Sequence, residues 1–154
     1  MVALIDTHTH LFAEEFDEDR ELAIIRATEA GVTRLFMPNI DDTSVEAMLA
    51  LCNSHDGCYP MIGFHPTSVD ENWKERLGTV EKWLRSEQVF YGIGEVGMDL
   101  YWDKTFKKEQ IHLPPKAGVM GGKAVFRQIE PPVQRMAVAL FPRKGTHRRR
   151  QHPR

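Results

Sequence analysis

The sequence predicts an α/β fold in which parallel strands alternate with helices. Three observations support this fold class. Apolar, β-rich runs recur about every 25–30 residues, amphipathic helical patterns lie between them, and polar residues follow the ends of the runs. This rhythm is typical of βα units on a parallel sheet. It extends over about four units, as far as residue 111.

The first βα unit is predicted to comprise the strand Val2–Ile5 and the helix Glu18–Ala30. The strand is apolar throughout, as expected for a strand that is buried on both faces. The helix is predicted to turn Leu22 and Ile25 inward. Gly31 follows at the position where many helices end in the left-handed conformation.

The second unit begins with the β-rich run Val32–Met37, which Pro38 ends. Thr43 is predicted to cap the next helix, with Glu46 completing a capping box three residues later. The helix then shows the i, i+3, i+4, i+7 spacing of one buried stripe. That stripe consists of Val45, Met48, Leu49 and Cys52.

The third and fourth units are predicted from the strands Tyr59–Phe64 and Val89–Ile93. A helix between them carries an apolar stripe formed by Trp73, Leu77, Val80 and Leu84. A fourth helix is predicted from about Thr105 to Ile111. Polar residues follow the strands, and in barrels built from βα units the site lies at the carboxyl ends of the strands.

Composition is that of an ordinary globular domain. The chain has 154 residues, of which 42% are hydrophobic and 27% charged, and no stretch is long enough to cross a bilayer. The apolar start reaches Asp6 too soon for a signal peptide. Cys52 and Cys58 lack Cys-x-x-Cys spacing, so we interpret them as reduced thiols. These features predict a cytoplasmic protein without membrane contact.

Charge divides the chain into two unlike segments. Residues 1–112 hold 10 Lys+Arg and 21 Asp+Glu, whereas residues 113–154 hold 10 Lys+Arg and only Glu130. Six of the nine prolines also lie in the second segment. We therefore predict a βα domain over residues 1–111 and an irregular, basic tail over residues 112–154.

The most informative motif is Asp6-Thr7-His8-Thr9-His10, which follows the first strand. Alternate residues of an extended chain share a face, so His8 and His10 can bind one divalent cation. The alternative is a pair of solvated histidines at a strand end. The metal-binding reading is favoured because two further polar motifs follow other predicted strands.

Gly63-Phe64-His65-Pro66 is the second motif, and Pro66 keeps His65 extended at the end of its strand. The third is Gly92-Ile93-Gly94-Glu95-Val96-Gly97-Met98-Asp99. It contains G-x-G-x-x-G, but no helix pattern follows directly, so we reject a dinucleotide site. Glu95 is instead a candidate metal ligand. Asp99 either orients a neighbouring group by hydrogen bonding or takes a direct role.

Together these motifs closely resemble the TatD family of metal-dependent hydrolases. The resemblance covers about residues 1–111 and implies a (β/α)₈ TIM barrel, of which this chain supplies about the first four units. It implies one or two divalent cations, Mg²⁺, Mn²⁺ or Zn²⁺, and hydrolysis of phosphodiester bonds, commonly in DNA. His8 and His10 match metal ligands, Glu95 a catalytic carboxylate shared between metals, and His65 a motif histidine near the site.

The chain also departs from the family pattern. Members continue with a strand that ends in His-x-Arg, a later ligand histidine and a catalytic aspartate. None of these is recognised after residue 111, because His112, His147 and His152 lack a strand context in the sequence and no aspartate occurs after Asp103. We therefore expect an incomplete site with little turnover, and self-association through the open sheet edges of a partial barrel. We interpret residues 112–154 as sequence read in another frame. Coding DNA with no His-x-Arg strand in any frame beyond codon 111 would contradict this.

Two alternatives stay open. One is a non-catalytic, metal-binding fragment. The other is a weak nucleic-acid binder that uses the basic tail around Arg148-Arg149-Arg150, where cationic side chains would bind phosphates without sequence preference.

Overall fold

The computed structural model describes residues 3–111, and these residues form parallel βα units. Strands β1 (Leu4–Asp6), β2 (Val32–Pro38) and β3 (Cys58–Met61) form a parallel sheet in the order β1-β2-β3. Helices α1 (Arg20–Glu29), α2 (Val45–Ser54) and α3 (Trp73–Arg85) follow these strands in turn. The alternation predicted from the sequence is therefore confirmed over the three units.

The fourth predicted strand is much shorter than expected. Val89–Ile93 is joined to the chain after β3 by one parallel bridge, between Ile62 and Ile93. Tyr91 N donates to the Pro60 carbonyl at 2.8 Å, and Gly94 N donates to the Ile62 carbonyl at 3.0 Å. These bonds still place the segment beside β3, so its end faces the same edge of the sheet as β1. Residues 107–111 are helical, within the fourth helix predicted.

The hydrophobic core lies between the sheet and the helices α2 and α3. Both predicted stripes face it, although Cys52 and Leu84 are only partly buried at its border. Phe64, just beyond β3, is fully buried. The core therefore supports the segments that leave the carboxyl ends of β2 and β3.

The buried face of helix α1 differs from the predicted one. Leu22 and Ile25 are 56% and 50% exposed, whereas Ile24 is buried. The apolar side chains of α1 that are buried or half-buried are Ile24, Ala23 and Ala27. The prediction for Leu22 and Ile25 was wrong. Their exposure is compatible with self-association, which stays a prediction.

The start of α2 is also organised differently from the predicted capping box. Ser44, not Thr43, is the N-cap residue, and it makes no capping bond to the helix. Asp41 Oδ1 accepts hydrogen bonds from both the backbone N and the hydroxyl of Thr43, at 3.0 and 2.7 Å. The local turn therefore uses the Thr43 hydroxyl that a cap would need.

Both cysteines are free thiols, as predicted. Burial raises the pKa of Cys52 to about 12 and that of Cys58 to about 11. They therefore stay protonated at neutral pH and are poor nucleophiles and metal ligands.

Within residues 3–111, none of the helices combines the length and hydrophobicity needed to cross a bilayer. The predicted basic tail over residues 112–154 lies outside the described residues. The interpretation that this segment is read in another frame stays a prediction.

Arg76 of α3 joins the loops that follow β2 and β3. Its guanidinium donates to carboxylate oxygens of Asp41, Asp42 and Asp70, each at 2.8 Å. It also donates to the Ser68 carbonyl at 3.1 Å. One cation therefore contacts three carboxylates and offsets part of the repulsion among them.

We predict that Arg76→Ala lowers the free energy of unfolding at pH 7 by about 2 kcal/mol, because partly buried carboxylates lose their partner. Chemical denaturation measures this. Lys82→Ala, an exposed cation on the same helix, is the matched control and should change stability by less than about 0.5 kcal/mol.

The difference between wild type and Arg76→Ala should also depend on pH. Burial raises the pKa of Asp41, but hydrogen bonds from Thr43 and the charge of Arg76 outweigh it, so the pKa lies below the usual value for an aspartate. The stabilisation is then complete above that value and is lost as the pH falls further. An equal difference at pH 7 and at about pH 2 would contradict the role assigned to Arg76.

Candidate metal centre

His8 and His10 lie on the extended segment that leaves β1. The strand itself ends at Asp6, and Asp6 Oδ1 accepts a hydrogen bond from His8 N at 3.0 Å. Thr9 N donates to the Phe36 carbonyl of β2 at 3.0 Å. The segment is thus bonded to β2 between the two histidines, and the two imidazoles lie on the same side with Nε2 atoms 3.0 Å apart.

Glu95 reaches this edge because its backbone lies directly against Gly63. A Cβ atom on Gly63 would lie 2.5 Å from the Gly94 carbonyl carbon and 2.6 Å from the Glu95 oxygen. Only glycine leaves room for this approach. Gly63 therefore serves close backbone packing, and no helix follows Gly97 directly.

Three predicted ligands meet at this edge. Each of His8, His10 and Glu95 contributes one potential ligand atom, and these three atoms lie within 4.8 Å of one another. His8 Nε2 lies 2.6 Å from Glu95 Oε1, and His10 Nε2 lies 3.9 Å from Glu95 Oε2. The side chains are 25–36% exposed. They are therefore accessible from solvent and do not belong to the core.

Hydrogen bonding through Nδ1 makes Nε2 the lone-pair nitrogen of His10, and this atom faces His8 Nε2 at 3.0 Å. His10 Nδ1 lies 3.0 Å from the Pro38 carbonyl oxygen, which only accepts, so Nδ1 carries the proton. Burial lowers the pKa of His10, outweighing the opposing effect of Glu95. The imidazole is therefore neutral at pH 7, with Nε2 as a ligand atom. A backbone carbonyl on the far nitrogen is the usual support for a metal-binding histidine.

The donor set fits a divalent cation. The lone pair of His10 Nε2 and the carboxylate of Glu95 both face His8 Nε2, whose single proton lies between them. A cation at this point would satisfy all three atoms at once, and metal binding to histidine displaces such protons. Two imidazoles and one carboxylate form a set that Zn²⁺ and Mn²⁺ accept, with positions left for water or substrate.

His65 presents the opposite tautomer to the same site. Its Nδ1 accepts a hydrogen bond from Thr67 N at 3.1 Å, so Nδ1 is unprotonated and Nε2 carries the hydrogen. That Nε2 lies 3.4 Å from Glu95 Oε2. His65 is therefore a hydrogen-bond donor at the edge of the centre, and it is not part of the three-ligand group.

Two other polar residues near the motifs have structural contacts. Asn39 is fully buried, and its side chain accepts from Gly63 N at 2.7 Å and donates to the Gly63 carbonyl at 3.0 Å. It therefore holds the glycine against which Glu95 rests. Asp99 accepts from Tyr101 N at 2.8 Å and stabilises a loop, and its predicted role at the site stays a prediction.

The centre opens into a groove of about 890 Å³. His8, His65 and Glu95 line the groove together with residues 96–101. A bound cation would thus face a space large enough for a nucleotide-sized ligand.

Sequence reasoning missed several supporting residues. Thr67 sets the tautomer of His65, and its signal was the hydroxyl two residues after the histidine, typical of a local side-chain turn. The Pro38 carbonyl that orients His10 is a backbone atom of another unit. Arg76 gave no signal, because its three partners come from two different loops.

Comparison with known proteins gives consistent matches over this region. The family model for TatD related DNases matches residues 5–113. The chain is 35% identical over 107 residues to the uncharacterized metal-dependent hydrolase YabD of Bacillus subtilis, covering 70% of this chain and 42% of that protein. It is 27% identical over 109 residues to the 3'-5' ssDNA/RNA exonuclease TatD of Cronobacter sakazakii, covering 71% and 41%.

A solved structure shows the same likeness in three dimensions. The crystal structure of YjjV, a TatD homolog from Escherichia coli, superposes with a TM-score of 0.68 at 27% identity, covering 74% of this chain and 44% of that one. The parallel βα units thus correspond to part of the (β/α)₈ TIM barrel, as predicted. The chain spans about two fifths of the length of the relatives it matches.

The contact at Gly63 leads to a paired prediction. Gly63→Ala should lower the free energy of unfolding by about 1–3 kcal/mol and Mn²⁺ affinity at least about tenfold, since the new Cβ displaces the backbone of Glu95. Gly78→Ala, in α3 with nothing within 4 Å, is the control. It should raise stability by about 1 kcal/mol without changing affinity. Denaturation and calorimetric titration measure both quantities.

The prediction concerns the difference between the two glycine variants. If Gly63→Ala bound Mn²⁺ as tightly as Gly78→Ala, the close approach would not position the carboxylate.

Proposed function

This chain belongs to the family of TatD related DNases, and on that premise we propose that it is a metal-dependent hydrolase of phosphodiester bonds. The observation that carries the proposal is the convergence of His8, His10 and Glu95 from the ends of separate βα units. We propose these three as metal ligands, with Glu95 and His65 as the catalytic groups. The three ligands favour Mn²⁺ or Zn²⁺, and Mg²⁺ is the remaining candidate.

When bound, a divalent cation lowers the pKa of water and neutralises charge on phosphate oxygens. Glu95 has two carboxylate oxygens, so it can bind a cation with one and orient a nucleophilic water with the other. His65 Nε2–H, held by Thr67, points into the same space and would donate to a phosphate oxygen. His10 and the Pro38 carbonyl keep their side of the centre rigid.

The proposed substrate is single-stranded nucleic acid. Several relatives are described as 3'-5' ssDNA/RNA exonucleases, including those of Cronobacter sakazakii and Pectobacterium carotovorum. The groove beside the centre is open to solvent and admits a flexible strand. We expect slow turnover from these 154 residues, because no aspartate follows Asp103 to serve as the catalytic aspartate that the family resemblance implies.

Metal binding is the first test. Glu95→Gln should lower Mn²⁺ affinity at least about tenfold, because the amide keeps the side-chain shape but loses the charge. Calorimetric titration of the full chain measures this. His55→Ala is the matched control. His55 lies outside the centre, where its Nε2 is 2.8 Å from Glu21 Oε2, so this variant should bind Mn²⁺ as wild type does.

Hydrolysis of a fluorescent single-stranded oligonucleotide is the second readout of the same variants. We expect slow cleavage that requires Mn²⁺ and is lost in Glu95→Gln. Metal binding without any cleavage would favour the alternative of a non-catalytic metal-binding fragment. Cleavage that survives Glu95→Gln would contradict the proposed site.

The tautomer of His65 leads to a separate prediction. Because its Nε2 carries a proton, His65→Ala should leave Mn²⁺ affinity within about threefold of wild type, whereas cleavage should fall about a hundredfold or more. The combination separates a donor from a ligand. A loss of Mn²⁺ affinity as large as that of Glu95→Gln would make His65 a ligand instead.

A further inference from the structure

Two aromatic side chains stand exposed beside the candidate metal centre. Tyr101 and Trp102 are 77% and 79% exposed. Tyr101 lines the same groove as His8 and Glu95. The two rings contact each other edge to face, with centroids 4.8 Å apart and planes at 86°. Such exposure is unusual for large aromatic residues, and an exposed aromatic patch often marks a binding site.

The loop that carries these rings is anchored. Tyr101 N donates to Asp99 Oδ1 at 2.8 Å, and Asp99 N donates to Gln110 Oε1 at 3.0 Å. Gln110 is only 4% exposed, so the anchor lies inside the domain. The backbone beside the rings is therefore held in place, and less entropy is lost when a ligand stacks on them.

The groove itself is suited to bases and poorly suited to phosphates. Within the described residues its lining contains no lysine or arginine, and the acidic side chains Glu95 and Asp99 contribute negative charge. Apolar residues form most of the remainder, among them Met61, Ile93 and Met98. A single strand that enters the groove would bind mainly through the flat faces of its bases. The phosphate at the metal would be the exception.

We propose that Tyr101, supported by Trp102, is a stacking platform for a base of single-stranded nucleic acid whose phosphate lies at the candidate metal centre. The proposal rests on the proposed function and specifies how its substrate is recognised. Every base has a π face, so the platform accepts different sequences. It also favours single strands, because the bases of a duplex are already stacked.

Binding of short oligonucleotides to the full chain, measured by fluorescence anisotropy in EDTA, tests the platform without cleavage. The probes are a thymidine and a uridine oligonucleotide of about six residues, and an abasic version of the first. Tyr101→Ala should weaken binding of the base-containing probes by about five- to one-hundredfold. The thymidine and uridine probes show whether DNA or RNA is preferred.

Two further variants separate stacking from general hydrophobicity. Tyr101→Phe should bind within about twofold of wild type, and Tyr101→Leu should lose as much affinity as Tyr101→Ala. The abasic probe should not distinguish Tyr101→Ala from wild type. An equal loss for abasic and base-containing probes, or wild-type affinity in Tyr101→Leu, would overturn the proposal.

Sedimentation of wild type and Tyr101→Ala identifies the competing use of the same surface. If the variant changed the oligomeric state but not oligonucleotide affinity, the rings would cover a second copy, and the platform would be refuted. The outcome is also separable from the metal proposal. Base-dependent binding through Tyr101 with no effect of Glu95→Gln on Mn²⁺ affinity would refute the metal centre alone.

Discussion

The site depends on one close approach between backbones. Glu95 is 85 residues or more from His8 and His10 in sequence, yet it meets them because residues 94 and 95 rest on Gly63. Asn39 holds Gly63 from the other side through two hydrogen bonds. Parallel pairing brings the chain segments to one edge, and this contact sets how far the carboxylate extends. The absence of a Cβ atom at Gly63 therefore controls the position of Glu95, a candidate ligand.

Backbone atoms also set different tautomers for His10 and His65. The Pro38 carbonyl places the proton of His10 on Nδ1 and leaves Nε2 as a lone pair. The Thr67 amide does the reverse for His65, so its Nε2 is a donor. The same side chain thus acquires two chemical roles within one site. In each case the hydrogen-bond partner of Nδ1 decides which ring nitrogen carries the proton.

The charge distribution explains how an acidic domain could bind an anionic substrate. Residues 1–112 hold 10 Lys+Arg against 21 Asp+Glu, so the domain as a whole repels nucleic acid. A divalent cation at the candidate centre would reverse the field locally, where the phosphate must lie. Exposed Tyr101 and Trp102 offer attraction that does not depend on charge. Metal and aromatic rings would thus replace the basic groove that other nucleic-acid-binding proteins use.

The sequence alone determined the βα order, the stripes of α2 and α3, and the identity of the polar residues beyond the strands, because these depend on local periodicity and strand ends. It did not determine which face of α1 is buried, since Leu22 and Ala23 are both compatible with a helix and packing against the sheet selects between them. It also could not reveal Arg76 or the tautomer of His65. These depend on atoms from loops distant in sequence, and only the tertiary structure brings those atoms within hydrogen-bonding distance.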